Sequence, residues 1–77
     1  TEFINDIVAY PNPVKEFLNF KTEQNILKVE IFDIAGRILS TNLVSENKID
    51  LSELKTGNYL LIIYTENRIM KTKIIKE

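Results

Sequence analysis

Apolar residues recur at every second position through most of this chain, in short runs separated by turn-forming residues. That period of two is the signature of half-buried strands; helices would repeat their apolar positions at three and four. Residues 7–10 read as a first strand. Pro11 and Pro13 end it, because each fixes φ and removes a ladder donor. Residues 16–21 form a second strand with Leu18 and Phe20 on one face. Residues 27–34 form a third, with Leu27, Val29 and Ile31 on one face and Lys28, Glu30 and Phe32 on the other. Gly36 supplies a positive φ to a tight connection, and residues 37–44 return as a fourth strand. Ser45, Glu46 and Asn47 turn the chain into a fifth, at 48–50. Asp50 then caps a single helical turn near 52–55, with Glu53 placed as in a capping box, and Gly57 stops that turn in the left-handed conformation. Residues 58–65, the most hydrophobic run, form the sixth strand. Glu66 and Asn67 turn it into the seventh, 69–75, where Met70, Thr72 and Ile74 alternate with Ile69, Lys71, Lys73 and Ile75. Seven short strands between regularly spaced turns predict an all-β, immunoglobulin-like antiparallel sandwich.

Length narrows the picture to one domain. At 77 residues such a chain buries about 60–65% of its unfolded surface, and 44% apolar content is enough for one core. There is no Cys and no His. Disulfides and thiolate sites are therefore excluded, a zinc site would have to use carboxylates alone, and a Ser nucleophile would have no imidazole base. The acids are scattered over turns and solvent faces, so no paired-carboxylate mechanism suggests itself, and neither an enzyme nor a cofactor is expected. A net charge of −1 gives no bias toward nucleic acid. No apolar run approaches the ~20 residues of a helical membrane span, and no signal-peptide pattern stands at the start. The chain is read as the tail of a longer precursor or an excised piece of one, with residues 1–6 a remnant of the linker to whatever precedes it.

Four short signatures remain. The first is Tyr10-Pro11-Asn12-Pro13, a stiff segment suited to crossing from one sheet edge to the next, and too proline-poor for a polyproline ligand. The second runs from Val29 to Arg37, with Asp33, Gly36 and Arg37 at its end. There Asp33 either bonds the turn backbone or pairs with Arg37, and one glycine is too few for a phosphate loop. The third is Leu54-x-x-Gly57-x-Tyr59, at the entrance to the sixth strand. A tyrosine at such a corner turns its hydroxyl back to an upstream backbone group, here within 54–57, while Leu61 and Ile63 follow into the core. The fourth is the closing basic strand, with Lys71, Lys73 and Lys76. Its lysines either discourage edge-to-edge pairing or present a surface to be read, and Lys73 and Lys76 are both expected in solvent. Phe32, Leu60, Ile62 and Tyr64 point away from the expected core. They would form an apolar outer face, a common mark of an interaction surface and here a basis for weak self-association.

These signatures, in this order and ending on a basic strand, resemble the C-terminal sorting domain of cargo exported by the type IX secretion system of some Gram-negative bacteria. The resemblance covers nearly the whole chain from Ile7 onward. It implies a signal that takes a fused N-terminal passenger through the periplasm and across the outer membrane, to the cell surface or beyond. It also implies an outer-membrane translocon and a sortase-containing attachment complex as partners, with the domain removed after export. The match is looser at the end, where Glu77 follows Lys76. The alternative reading is a fibronectin type III-like spacer in a multidomain surface enzyme, touching carbohydrate or protein through Leu60, Ile62 and Tyr64.

Overall fold

A computed structural model describes residues 2–3, 7–44, 46–66 and 68–77. Eight strands are formed: β1 (Glu2–Phe3), β2 (Val8–Tyr10), β3 (Phe17–Lys21), β4 (Ile26–Asp33), β5 (Ile38–Leu43), β6 (Lys48–Asp50), β7 (Gly57–Thr65) and β8 (Arg68–Lys76). They make two sheets, one ordered β1-β8-β7-β4-β5 and the other β2-β3-β6. All pairs are antiparallel except β1 with β8, a two-residue parallel addition that the period-two pattern did not announce. The all-β sandwich expected from alternation is therefore what this chain forms, and no helix occurs among the described residues.

The core lies between the sheets. Leu18 and Phe20 from β3 and Ile49 from β6 face Val29 and Ile31 from β4, Leu61 and Ile63 from β7, and Met70 and Ile74 from β8. Val14 and Leu51, in the connections, fill its ends. Because side chains alternate along a strand, the residues between these point to the outer face of the larger sheet. Register aligns them in rows: Ile38, Phe32, Leu60, Lys73; then Thr41, Glu30, Ile62, Lys71; then Lys28, Tyr64, Ile69.

Four details depart from the pattern. A register shift in β4 between Ile26 and Lys28 turns Ile26 into the core and leaves Leu27 largely exposed, reversing the expected role of Leu27. An extra residue moves all earlier side chains to the opposite face. Residues 51–54 make one hydrogen-bonded turn, Leu54 N–H to the Leu51 carbonyl at 3.0 Å, rather than a helical one. Asp50 accepts from the Ser52 amide at 2.9 Å and so sets that turn two residues on. Gly57 has φ +154°, an extended glycine conformation in place of the left-handed helical one expected, because it opens β7 directly instead of terminating a helix. Finally, Lys76 is only 6% exposed, not solvated. It shares parity with Met70, Thr72 and Ile74, so the pleat carries its stem inward while its ammonium reaches the main-chain oxygen of Glu77 at 3.2 Å.

Two further turns are tied by local chemistry. Glu46 and Asn47 both take positive φ, 57° and 55°, where the chain leaves β5 in the larger sheet for β6 in the smaller one. The expected turn residue Ser45 lies outside the described residues, as does Asn67. Between β7 and β8, Thr65 Oγ1 accepts from the Arg68 amide at 3.1 Å and donates to its carbonyl at 3.2 Å.

Candidate recognition site

The sequence signatures lie far apart along the chain, yet the fold collects them at one end of the larger sheet. Asn12 is the first. Its carboxamide lies along the outer side of β8, donating to the Lys73 carbonyl at 3.2 Å and accepting from the Ile75 amide at 2.9 Å. A side-chain amide carries the same donor and acceptor as a peptide group, so Asn12 occupies the place that one residue of a neighbouring strand would take. Val14 continues the pairing: its N–H donates to the Ile75 carbonyl at 2.8 Å, and its carbonyl accepts from the Glu77 amide at 2.8 Å. The flanking Tyr10-Pro11 and Asn12-Pro13 peptides are cis. Pro11 and Pro13 are exposed, and Asn12 and Val14 supply the bonds that tie this short segment to the last strand.

The β4–β5 turn is the second. Asp33 Oδ1 accepts from the Ala35 amide at 3.0 Å and the Arg37 amide at 2.9 Å, while Oδ2 pairs with Arg37 Nε at 2.9 Å. Both alternatives posed for Asp33 therefore hold together. The amide of Arg37 does most to hold the Asp33 carboxyl below the ordinary carboxylate range; desolvation opposes it, and the Arg37 guanidinium and the Ala35 amide add to the lowering. Gly36 completes the turn with φ +87°. Ile34, at its tip, is 82% exposed.

The corner before β7 is the third. Tyr59 donates its hydroxyl to the Lys55 carbonyl at 2.7 Å, within the stretch where its partner was expected, and its ring packs on the core. From there β7 runs between β4 and β8, placing Leu60 between Phe32 and Lys73.

These pieces surround a cleft of about 550 Å³, whose walls include Asn12, Asp33, Ile34, Tyr59, Leu60 and Lys73. Asn58 and Ile75 also line it. They pair across β7 and β8 and were missed by sequence reading because the strand register alone brings them together. Lys73 stands exposed at the cleft and Lys71 beside Ile62 two residues away, whereas Lys76 points inward and belongs to neither surface. Phe32, Leu60, Ile62 and Tyr64 do face outward, but each is half-buried by its neighbours. The Lys28 ammonium lies 4.6 Å from the Tyr64 ring centre, and the Tyr64 hydroxyl donates to Glu30. That bond, with desolvation second, raises the Tyr64 hydroxyl above its ordinary titration range. The outer face is thus an apolar column, bordered by β8 lysines on one side and at its far end by Tyr64 in contact with Lys28 and bonded to Glu30.

Among the described residues no three His, Cys, Asp or Glu side chains gather as metal ligands, and no helix is long and apolar enough to cross a membrane. The arrangement can bind: it offers a concave, mostly apolar surface with a cation and hydrogen-bonding groups at its rim. Residues 8–77 match the family model described as a secretion system C-terminal sorting domain. No curated protein matches the chain.

Proposed function

Because the chain belongs to the family of secretion system C-terminal sorting domains, of the type IX pathway, we propose that the export machinery reads it as a folded unit at the cleft and outer face described above. The family is one of sorting signals and not of enzymes, and it directs proteins to the cell surface or the extracellular space. The finer reading is that the domain carries a fused N-terminal passenger to an outer-membrane translocon, and that a sortase-containing complex then removes it. Convergence carries this reading: Asn12, Asp33, Tyr59 and Lys73, up to 61 residues apart, line one cleft. Recognition falls to Lys71 and Lys73, whose side chains stand on the outer face, and to the apolar Leu60 and Ile62 opposite them.

The test is export of an inert secreted protein carrying residues 1–77 at its C-terminus, in a bacterium with type IX machinery. The fusion should reach the cell surface, and deletion of residues 72–77 should strand it in the periplasm, since it removes Ile74 from the core and Lys73 from the cleft. Lys73→Ala separates recognition from folding, because its side chain is exposed. Reduced export at an unchanged melting temperature supports reading of the basic face. Export that survives the six-residue deletion overturns the proposal.

A further inference from the structure

Strand edges are where a sandwich can add another chain, and among the described residues all but one of the long edges are closed. On the larger sheet, the outer side of β8 is occupied by β1, by the Asn12 carboxamide and by Val14. The smaller sheet ends in β2 and β6, of three residues each. Among the described residues that leaves β5, six residues long, at the opposite margin. Natural edges are usually blunted by lysine or proline; Ile-Leu-Ser-Thr-Asn-Leu contains neither, and no charge of either sign. A bulge leaves Leu39 without a partner on β4 and confines the regular free edge to residues 40–43. Beside it, Ile38 and Leu39 are 53% and 47% exposed.

The ladder identifies which groups point outward. The Lys73 carbonyl and Ile75 amide face away from β7, since both bond to Asn12. Lys73 and Leu60 are then a non-hydrogen-bonded pair, so Leu60 bonds toward Phe32, and, two residues on, Ile62 bonds toward Glu30. Thr41, opposite Glu30, is left with its amide and carbonyl directed to the open edge.

We infer that β5 pairs with β5 of a second copy of this chain, antiparallel about a two-fold axis at Thr41, joining two larger sheets into one. Two features favour a second copy. An uncharged strand meets itself without like-charge repulsion. The two-fold also brings the start of one β5 beside the end of the other, so that Arg37 of one copy, exposed although its Nε bonds Asp33, and exposed Glu46 of the other share a corner with opposite charge. Each Thr41 then exchanges both main-chain bonds with its counterpart, while Ile38 and Leu39 are covered at the flanks. This association goes beyond the export reading and uses a margin of the sheet distant from Lys71 and Lys73.

Sedimentation equilibrium of the 77-residue chain over rising concentration should show twice the 9.0 kDa chain mass, in a salt-sensitive equilibrium. Thr41→Pro should lower the association constant roughly ten-fold or more, because the two-fold axis doubles the loss of one N–H donor. Its fold should persist, since that N–H is not part of the internal ladder, and circular dichroism checks this. Glu46→Lys, outside the strand, should weaken the dimer several-fold by facing Arg37 with a like charge, and it serves if the proline variant fails to fold. A chain that stays monomeric up to about 1 mM overturns the inference, given that weaker contacts carry no specific association. A dimer indifferent to whichever of these variants is folded also overturns it, because it must then use another surface.

Discussion

Asp33 shows how much one side chain organises here. Its two oxygens hold two amides and a guanidinium, and these bonds favour the ionised form. Its folded-state pKa is therefore depressed, so the stability it contributes is present above the unfolded carboxylate value of about 4 and is lost as pH falls through the folded value. Asp50, lowered by its bonds to Ser52, acts in the same direction. Urea midpoints taken from neutral pH down to about pH 2 should decline below pH 4. Asp33→Asn should be less stable at neutral pH and should show a shallower acid decline, with the remainder due in part to Asp50. An unchanged slope would separate Asp33 from the acid transition. The pairing of Asp33 with Arg37 was readable from spacing alone, because it is closed within five residues. The inward path of Lys76 was readable too, from its parity with Ile74, but a basic residue near a strand end suggests solvent until the buried stem is seen.

At the level of strands, register decides what alternation cannot. The period-two pattern places Leu60 and Ile62 on the outer face, and pairing then sets Leu60 between Phe32 and Lys73, with Ile62 between Glu30 and Lys71. A charge at position 60 therefore meets Lys73 directly across the ladder. Leu60→Lys and Leu60→Glu should both fold, but the lysine variant should be less stable, by about 0.5–1 kcal/mol, because like charges opposite each other destabilise a cross-strand pair and unlike charges stabilise it. Chemical denaturation of the two variants at low salt measures this difference, and high salt should shrink it. Equal stabilities would mean that Leu60 and Lys73 are not neighbours. The bulge that exchanges Ile26 for Leu27 belongs to this scale as well: the apolar run contains both residues, and only the pairing of β4 with β7 selects which one is buried.

Across the whole molecule, Asn12 joins the beginning of the domain to its end, with partners 61 and 63 residues away. Asn12→Ala should cost about 1–2 kcal/mol, for two hydrogen bonds at a partly hydrated edge. Its more specific signature is hydrogen exchange: the Ile75 amide should exchange faster, while the Ile74 amide, directed into the β7 ladder, keeps its protection. Unaltered exchange at Ile75 would remove Asn12 as the guard of that edge. Fold class, strand number to within the short β1, the Tyr59 corner and the outward face of β7 were all determined by the sequence, because alternation and turn chemistry act over a few residues. Family membership was legible for a related reason, since the signatures are local and their order survives in one dimension. The cleft was decided only by tertiary structure. Its walls come from four segments whose proximity follows from strand order, and strand order depends on how two sheets share one core. The closed edge of β8 and the open edge of β5 were decided in the same way, for a strand's own residues do not say which neighbour will stand beside it.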